Sequence, residues 1–185
     1  MTQVTVYTVG HSTRSLEEFI ELLEREGIRR VADVRTFPMS RRHPHFNREA
    51  LATALDARDI AYVHLPALGG RRRPRRDSVN VAWRTDGFRG YADHMATDEF
   101  RSGIRSLESL AGDRPTTVMC AEAVPWRCHR SLLADALVAR GNTVLHVLDA
   151  GVRPHVLTSF AAVERGEVRY LADGQRDLFA GAADR

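Results

Sequence analysis

Cys120 is the side chain in this sequence best suited to nucleophilic chemistry. It closes an apolar run at residues 116–120, just before a loop that ends in Cys128-His129-Arg130. The thiolate is the reactive form of cysteine, and a nearby guanidinium or a helix N-terminus favours it. The loop supplies Arg127 and Arg130, and the helix expected from His129 supplies the dipole. Glu122 offers a carboxylate for general acid–base work, or a partner for a loop arginine. His11 or His129 offers a base. Cys120, Glu122 and His11 are therefore the candidate catalytic set. The competing reading makes Cys120 a small buried residue at the end of a core strand.

Two other chemistries compete for the same loop. Cys120, Cys128 and His129 form a C-x7-C-H pattern that could take a metal. That spacing is not a usual one for zinc, and adjacent Cys128 and His129 seldom reach one ion. From Cys120 to Arg127 the chain reads C-x6-R, a weak match to the phosphate loop of tyrosine phosphatases. An anion held on loop amides and the following helix remains physically sound. The main expectation is no metal ligands and no cofactor.

All 27 basic side chains are arginine. Without lysine the chain cannot run Schiff-base or pyridoxal chemistry, a Walker phosphate loop or a protein-kinase site. GC-rich coding accounts for the arginine excess, so position carries the information. Residues 35–76 hold 10 Arg against 3 acids, a charge of +7 in a chain whose net charge is +3. One basic region on an otherwise mildly acidic protein points to an anionic partner. In residues 35–48, Arg35, Arg41 and Arg42 alternate with Phe37 and Phe46, a mixture that suits phosphate contact and base stacking. A solvated surface loop is the alternative, and for residues 71–76 a mobile, counterion-coated loop is the expectation.

A length of 185 residues fits one domain, here residues 1–172 followed by a flexible tail at 173–185. At 43% hydrophobic and 28% charged, the composition is that of a soluble globular protein. No apolar run approaches the roughly 18 residues of a membrane span. With no secretory signal and two cysteines, a cytoplasmic location is expected.

The elements that must position these residues follow from periodicity. Strands are expected at 4–9, 31–34, 60–65, 116–120, 143–148 and 168–171. Ser15 with Glu18 reads as a capping box on a helix stopped by Gly27, and Asn47 is expected to cap the next helix. Helices are also expected at 88–95, 98–110, 129–140 and 154–163. The alternation implies an α/β fold, a mostly parallel Rossmann-like sheet with a helical insert and a long basic loop in the middle. Ligands bind beyond the carboxyl ends of such strands. Gly10-His11-Ser12, Asp33-Val34-Arg35 and Cys120-Ala121-Glu122 should therefore share one rim. Ser12, Asp33, Arg35, Arg41, Arg42, Arg127, His129 and Arg130 are the candidate substrate contacts.

These motifs resemble the DUF488 family of small bacterial and archaeal proteins. The resemblance rests on Tyr7-Thr8-Val9-Gly10-His11-Ser12, Asp33-Val34-Arg35, Pro38 with Ser40-Arg41, and Asn47-Arg48. It extends through Leu68-Gly69-Gly70, Phe88-Arg89-Gly90-Tyr91, and Cys120-Ala121-Glu122 with Cys128-His129-Arg130. It implies a compact α/β fold with the motifs around one pocket, and no particular reaction. In the tail, Gln175-Arg176-Asp177-Leu178-Phe179 resembles the peptide by which replication and repair proteins bind the DNA sliding clamp. Gln175, Leu178 and Phe179 would be its anchors, while Arg176 stands where that peptide has an apolar residue. The readings left open are an enzyme acting on a nucleotide or nucleic acid, a non-catalytic nucleic-acid-binding module tied to repair or replication, and a metal site at Cys120, Cys128 and His129.

Overall fold

The computed structural model describes residues 3–172 and arranges them as a sheet between two helical layers. In chain order the elements are β1 (Thr5–Gly10), α1 (Leu16–Arg25), β2 (Arg30–Asp33), α2 (Arg48–Asp56), β3 (Ala61–His64), α3 (Asp86–Met95) and α4 (Asp98–Asp113). They continue with β4 (Thr116–Cys120), α5 (Arg130–Ala139), β5 (Thr143–Leu148), β6 (Gly151–Pro154), β7 (Ala162–Glu164) and β8 (Glu167–Arg169). The main sheet has the order β3-β2-β4-β1-β5-β6, and β7 pairs with β8 in a separate hairpin. Its first five strands are parallel, and β6 runs antiparallel on β5. Among the described residues no helix is long and apolar enough to cross a membrane.

The central strands β2 and β4 bury both faces, so the alternation along them decides which layer a side chain enters. Val9, Val31 and Met119 meet Phe19 and Leu23 of α1 and Leu51 and Leu55 of α2. Val6, Ala32, Val118 and Cys120 meet Tyr91 of α3, Ile104 of α4 and Leu132 of α5. Cys120 therefore points toward α5, and Asp33 falls on the opposite face.

The capping box forms as expected: Ser15 Oγ accepts from the Glu18 N–H, and the Glu18 carboxylate accepts from the Ser15 N–H. Ser15→Ala should lower the unfolding free energy by about 1 kcal/mol in urea titration, with the distant thiol chemistry unchanged.

Three local expectations are corrected. Asn47 does not cap α2 through its side chain, because its Oδ1 accepts from the Ser40 N–H at 2.6 Å and shapes the preceding loop instead. Residues 154–163 are not a helix. The buried carboxylate of Asp135 draws that segment onto α5 by accepting from the Thr158 N–H and pairing with His155. Residues 71–76 are not a free loop. Gly90 lets α3 pass directly under the Arg72 carbonyl, the Arg75 N–H donates to Asp93, and Arg72 donates to the Gly69 carbonyl and to Glu99.

Candidate functional site

The β1–β4 pairing runs past the strand ends. The His11 N–H donates to the Cys120 carbonyl and the Ser12 N–H to the Ala121 carbonyl, each at 3.0 Å. Two motifs more than a hundred residues apart in sequence are thereby held side by side, as the parallel sheet requires. Above them opens a cavity of about 800 Å³, within the roughly 300–1,000 Å³ of small-molecule sites. His11, Ser12, Arg35, Cys120, Glu122 and His129 line it, as do Arg42 and Arg127. Asp33, Arg41 and Arg130 do not. Asp33 is fully buried under the rim, Arg41 is exposed outside, and Arg130 is fully buried behind the thiols.

The sulfurs of Cys120 and Cys128 lie 3.2 Å apart as free thiols. Their environments are unequal. Cys128 Sγ accepts from the Arg130 N–H at 3.4 Å and from Arg130 Nε at 3.3 Å. The Cys120 hydrogen bond and the Arg130 charge pull the Cys128 thiol down to about 6, whereas burial pushes the Cys120 thiol well up. The position at the start of α5 adds a helix N-terminal amide to the anion's support. Cys128, placed by the sequence only in the alternative metal set, thus carries the more acidic thiol.

Arg130 explains why. Its side chain is fully buried, and among the described residues no carboxylate lies within ion-pair distance of it. Arginine keeps its charge at any working pH. Its Nη2 donates to the Glu122 carbonyl at 2.6 Å, which fixes the loop, and its Nε faces the sulfur. Among the described residues Cys128 Sγ is the one ionisable partner hydrogen-bonded to it.

Burial disfavours the charged forms of His11 and His129. His11 stacks on Phe46, and its Nδ1–H donates to the Ser12 carbonyl, which leaves the Nε2 lone pair facing Arg35 at 3.5 Å. Burial and the Arg35 charge push its pKa down to about 4. His129, against Tyr91 and Gly70, is also lowered to about 4, by burial and then by Arg130. A base so weak is poorly matched to proton abstraction near pH 7. Glu122 is the one carboxylate among the lining residues, it is exposed, and its side chain has no ion pair among the described residues.

The predicted arginine contacts divide into two kinds. Arg35 is spent internally: Asp33 grips it with both oxygens, the closest at 2.6 Å, and Nη2 also donates to the Phe46 carbonyl. Tyr62 Oη donates to the same carboxylate, whose proximity, with burial, raises the Tyr62 phenol. The D-x-R spacing at a strand end carries the signal, since residues two apart share a face. Arg42 and Arg127 instead reach the cavity with no carboxylate partner among the described residues, and so does Arg71, which was expected in a mobile, counterion-coated loop.

Among the described residues no group of three or more His, Cys, Asp or Glu side chains that could hold a metal ion is found. Gln175, Leu178 and Phe179 lie outside the described residues.

Fold and site together define an α/β protein with a cysteine–arginine pair beside an arginine-lined cavity at the carboxyl rim of a parallel sheet. The chain belongs to the DUF488 family: the model described as "Domain of unknown function DUF488" matches residues 15–137, about two thirds of the chain. The match spans Asp33–Arg35 and Cys120–Arg130 and begins after His11 and Ser12. No curated protein and no solved structure matches the chain.

Proposed function

We propose that this protein is an enzyme that binds a phosphate-bearing substrate, a nucleotide or a nucleic-acid segment, in the rim cavity and acts on it through a cysteine thiolate. The observation that carries the reading is the division of the arginines. Arg35 is paired with Asp33 and Arg130 is buried against Cys128, whereas Arg42, Arg71 and Arg127 face the cavity uncompensated by any described carboxylate. Guanidinium groups so placed suit a polyanion. In this reading Cys128 is the nucleophile, Cys120 supports it, and Glu122 moves the proton. His11 and Arg35 are positioning residues.

Thermal unfolding against a panel of nucleotides and short oligonucleotides tests the binding. A true ligand at 100 times its dissociation constant adds roughly 2.7 kcal/mol. Removing Arg42, Arg71 and Arg127 together should erase that gain, and Arg41→Ala should leave it. A panel in which no phosphate compound stabilises the protein ends the proposal. Once a substrate is found, Glu122→Gln should slow turnover roughly 100-fold or more, and unchanged turnover would remove Glu122 from the chemistry.

A non-catalytic nucleic-acid-binding module is the second reading. It is favoured by Phe37 and Met39, which line the cavity yet stand 69% and 78% exposed in the basic loop. On that reading Arg41→Ala and Arg42→Ala weaken binding equally, with a steep salt dependence.

A further inference from the structure

We infer that Cys128 and Cys120 form a redox-active dithiol, in which Cys128 is the sulfur that a hydroperoxide oxidises and Cys120 is the sulfur that resolves it to a disulfide. This goes beyond the phosphate-substrate reading and stands without it.

Three observations carry it. The two sulfurs are 3.2 Å apart, so reaching the roughly 2.05 Å of a disulfide asks for little more than 1 Å of movement. Both thiols line the cavity, which gives a small oxidant access. The pair is also asymmetric in the sense the chemistry needs. Cys128 faces the buried Arg130 guanidinium and an amide of α5, while Cys120 has only the Glu122 carbonyl, at 3.9 Å, and its partner sulfur. One sulfur is held ready to attack and the other keeps its proton.

In the first step the Cys128 thiolate attacks one peroxide oxygen. The S–O bond forms, the O–O bond breaks, and the departing alkoxide takes a proton from solvent to leave as an alcohol, or as water when the oxidant is hydrogen peroxide. Sulfur loses two electrons and the peroxide gains them. In the second step Cys120 Sγ attacks the Cys128 sulfenic acid. The S–S bond forms, the S–O bond breaks, and hydroxide leaves with the Cys120 proton as water. One thiolate, one thiol, one hydroperoxide and one proton give one disulfide, one alcohol and one water.

Arg130 then sets the direction of return. The disulfide removes the anion beside a buried cation, so the reduced pair is favoured and a monothiol such as glutathione reopens it. This is the behaviour of a labile pair, unlike that of a structural bridge.

The test begins with the wild-type protein and one equivalent of hydrogen peroxide. Intact mass should fall by two hydrogens, two thiols should vanish from titration in denaturant, and glutathione should restore both. Cys120→Ser should halt at a sulfenic acid that dimedone traps on Cys128. Survival of both wild-type thiols in excess peroxide overturns the inference, as does the absence of a dimedone adduct from folded Cys120→Ser. Should Cys120→Ser fail to fold by circular dichroism, the wild-type oxidation rate decides. A thiolate forming near pH 6 makes oxidation at pH 8 about tenfold faster than at pH 5, whereas an ordinary thiol near 8.5 gives a ratio of several hundred. A ratio of several hundred overturns the assignment. Nucleotide stabilisation is read on the same protein, so each idea fails independently of the other.

Discussion

Gly10→Ala should cost about 3 kcal/mol or more of stability and unmake the thiolate. A Cβ at residue 10 would lie 1.7 Å from the Glu122 carbonyl oxygen, 2.6 Å from its carbon and 2.9 Å from Arg130 Nη2. The first two are backbone atoms, which cannot rotate away. Either β1 and β4 part at their carboxyl ends or the 121–130 loop lifts. In both cases Arg130 loses the Glu122 carbonyl and its aim at Cys128. Overpacking of this severity lies at or beyond the upper end of the usual 1–3 kcal/mol. Urea unfolding measures the loss, and the pH profile of iodoacetamide labelling should move up toward that of a free thiol. Gly112→Ala is the control. Its Cβ meets nothing closer than Val4 Cγ1 at 3.7 Å, and α4 should gain up to about 1 kcal/mol. Equal effects at the two glycines would refute the close-approach account.

Cys128→Ser should be as damaging, for an electrostatic reason. Serine does not ionise, so Arg130 would remain fully buried with no anion. Stripping one partner from a buried pair costs roughly 3–5 kcal/mol. The double variant Cys128→Ser with Arg130→Met should recover part of that, since the stranded charge is gone too. A double variant worse than the sum of the singles would count against the pairing. The pH dependence follows with a definite sign. The Cys128 thiol titrates near 6 in the folded chain and near 8.5 unfolded. Its stabilisation is therefore complete above the unfolded value and disappears as pH falls through the folded one. Cys128→Ser should lack this dependence between roughly pH 6 and 8.5. His11, His129 and His146, all lowered to about 4, act in a separate and more acidic window.

What the sequence made legible was whatever depends on local period. The strand ends, the Ser15 box, the insert between β3 and β4 and the gathering of His11 with Cys120 all follow from it. The role of Cys128 does not, because it depends on which of 27 arginines is buried without a carboxylate. That is a property of packing, and composition is silent on it. The same holds for the buried chain running from Thr8 through His146 and His155 to Asp135 and Tyr170. Three elements, β1, β5 and α5, and the segments that follow β6 and β8 contribute to it, and no two neighbouring residues announce it. Residues 154–163 misled for the same reason. Their apolar spacing suits a helix, and a single buried carboxylate on another element overrides it.

The strand order also governs when the protein can come into being. β1 is made before its sheet neighbours β4 and β5, which are encoded more than a hundred residues later. At roughly 5–20 residues per second of synthesis, the first strand waits several seconds or longer for a partner. An N-terminal fragment ending before β4 contains neither cysteine and has nothing to set beside β1. Assembly of the central sheet thus waits for β4, and pairing over such separations slows the search for the native state. The rim cavity, formed where residues 11–13 meet residues 120–129, is incomplete until β4 and the loop after it have been made.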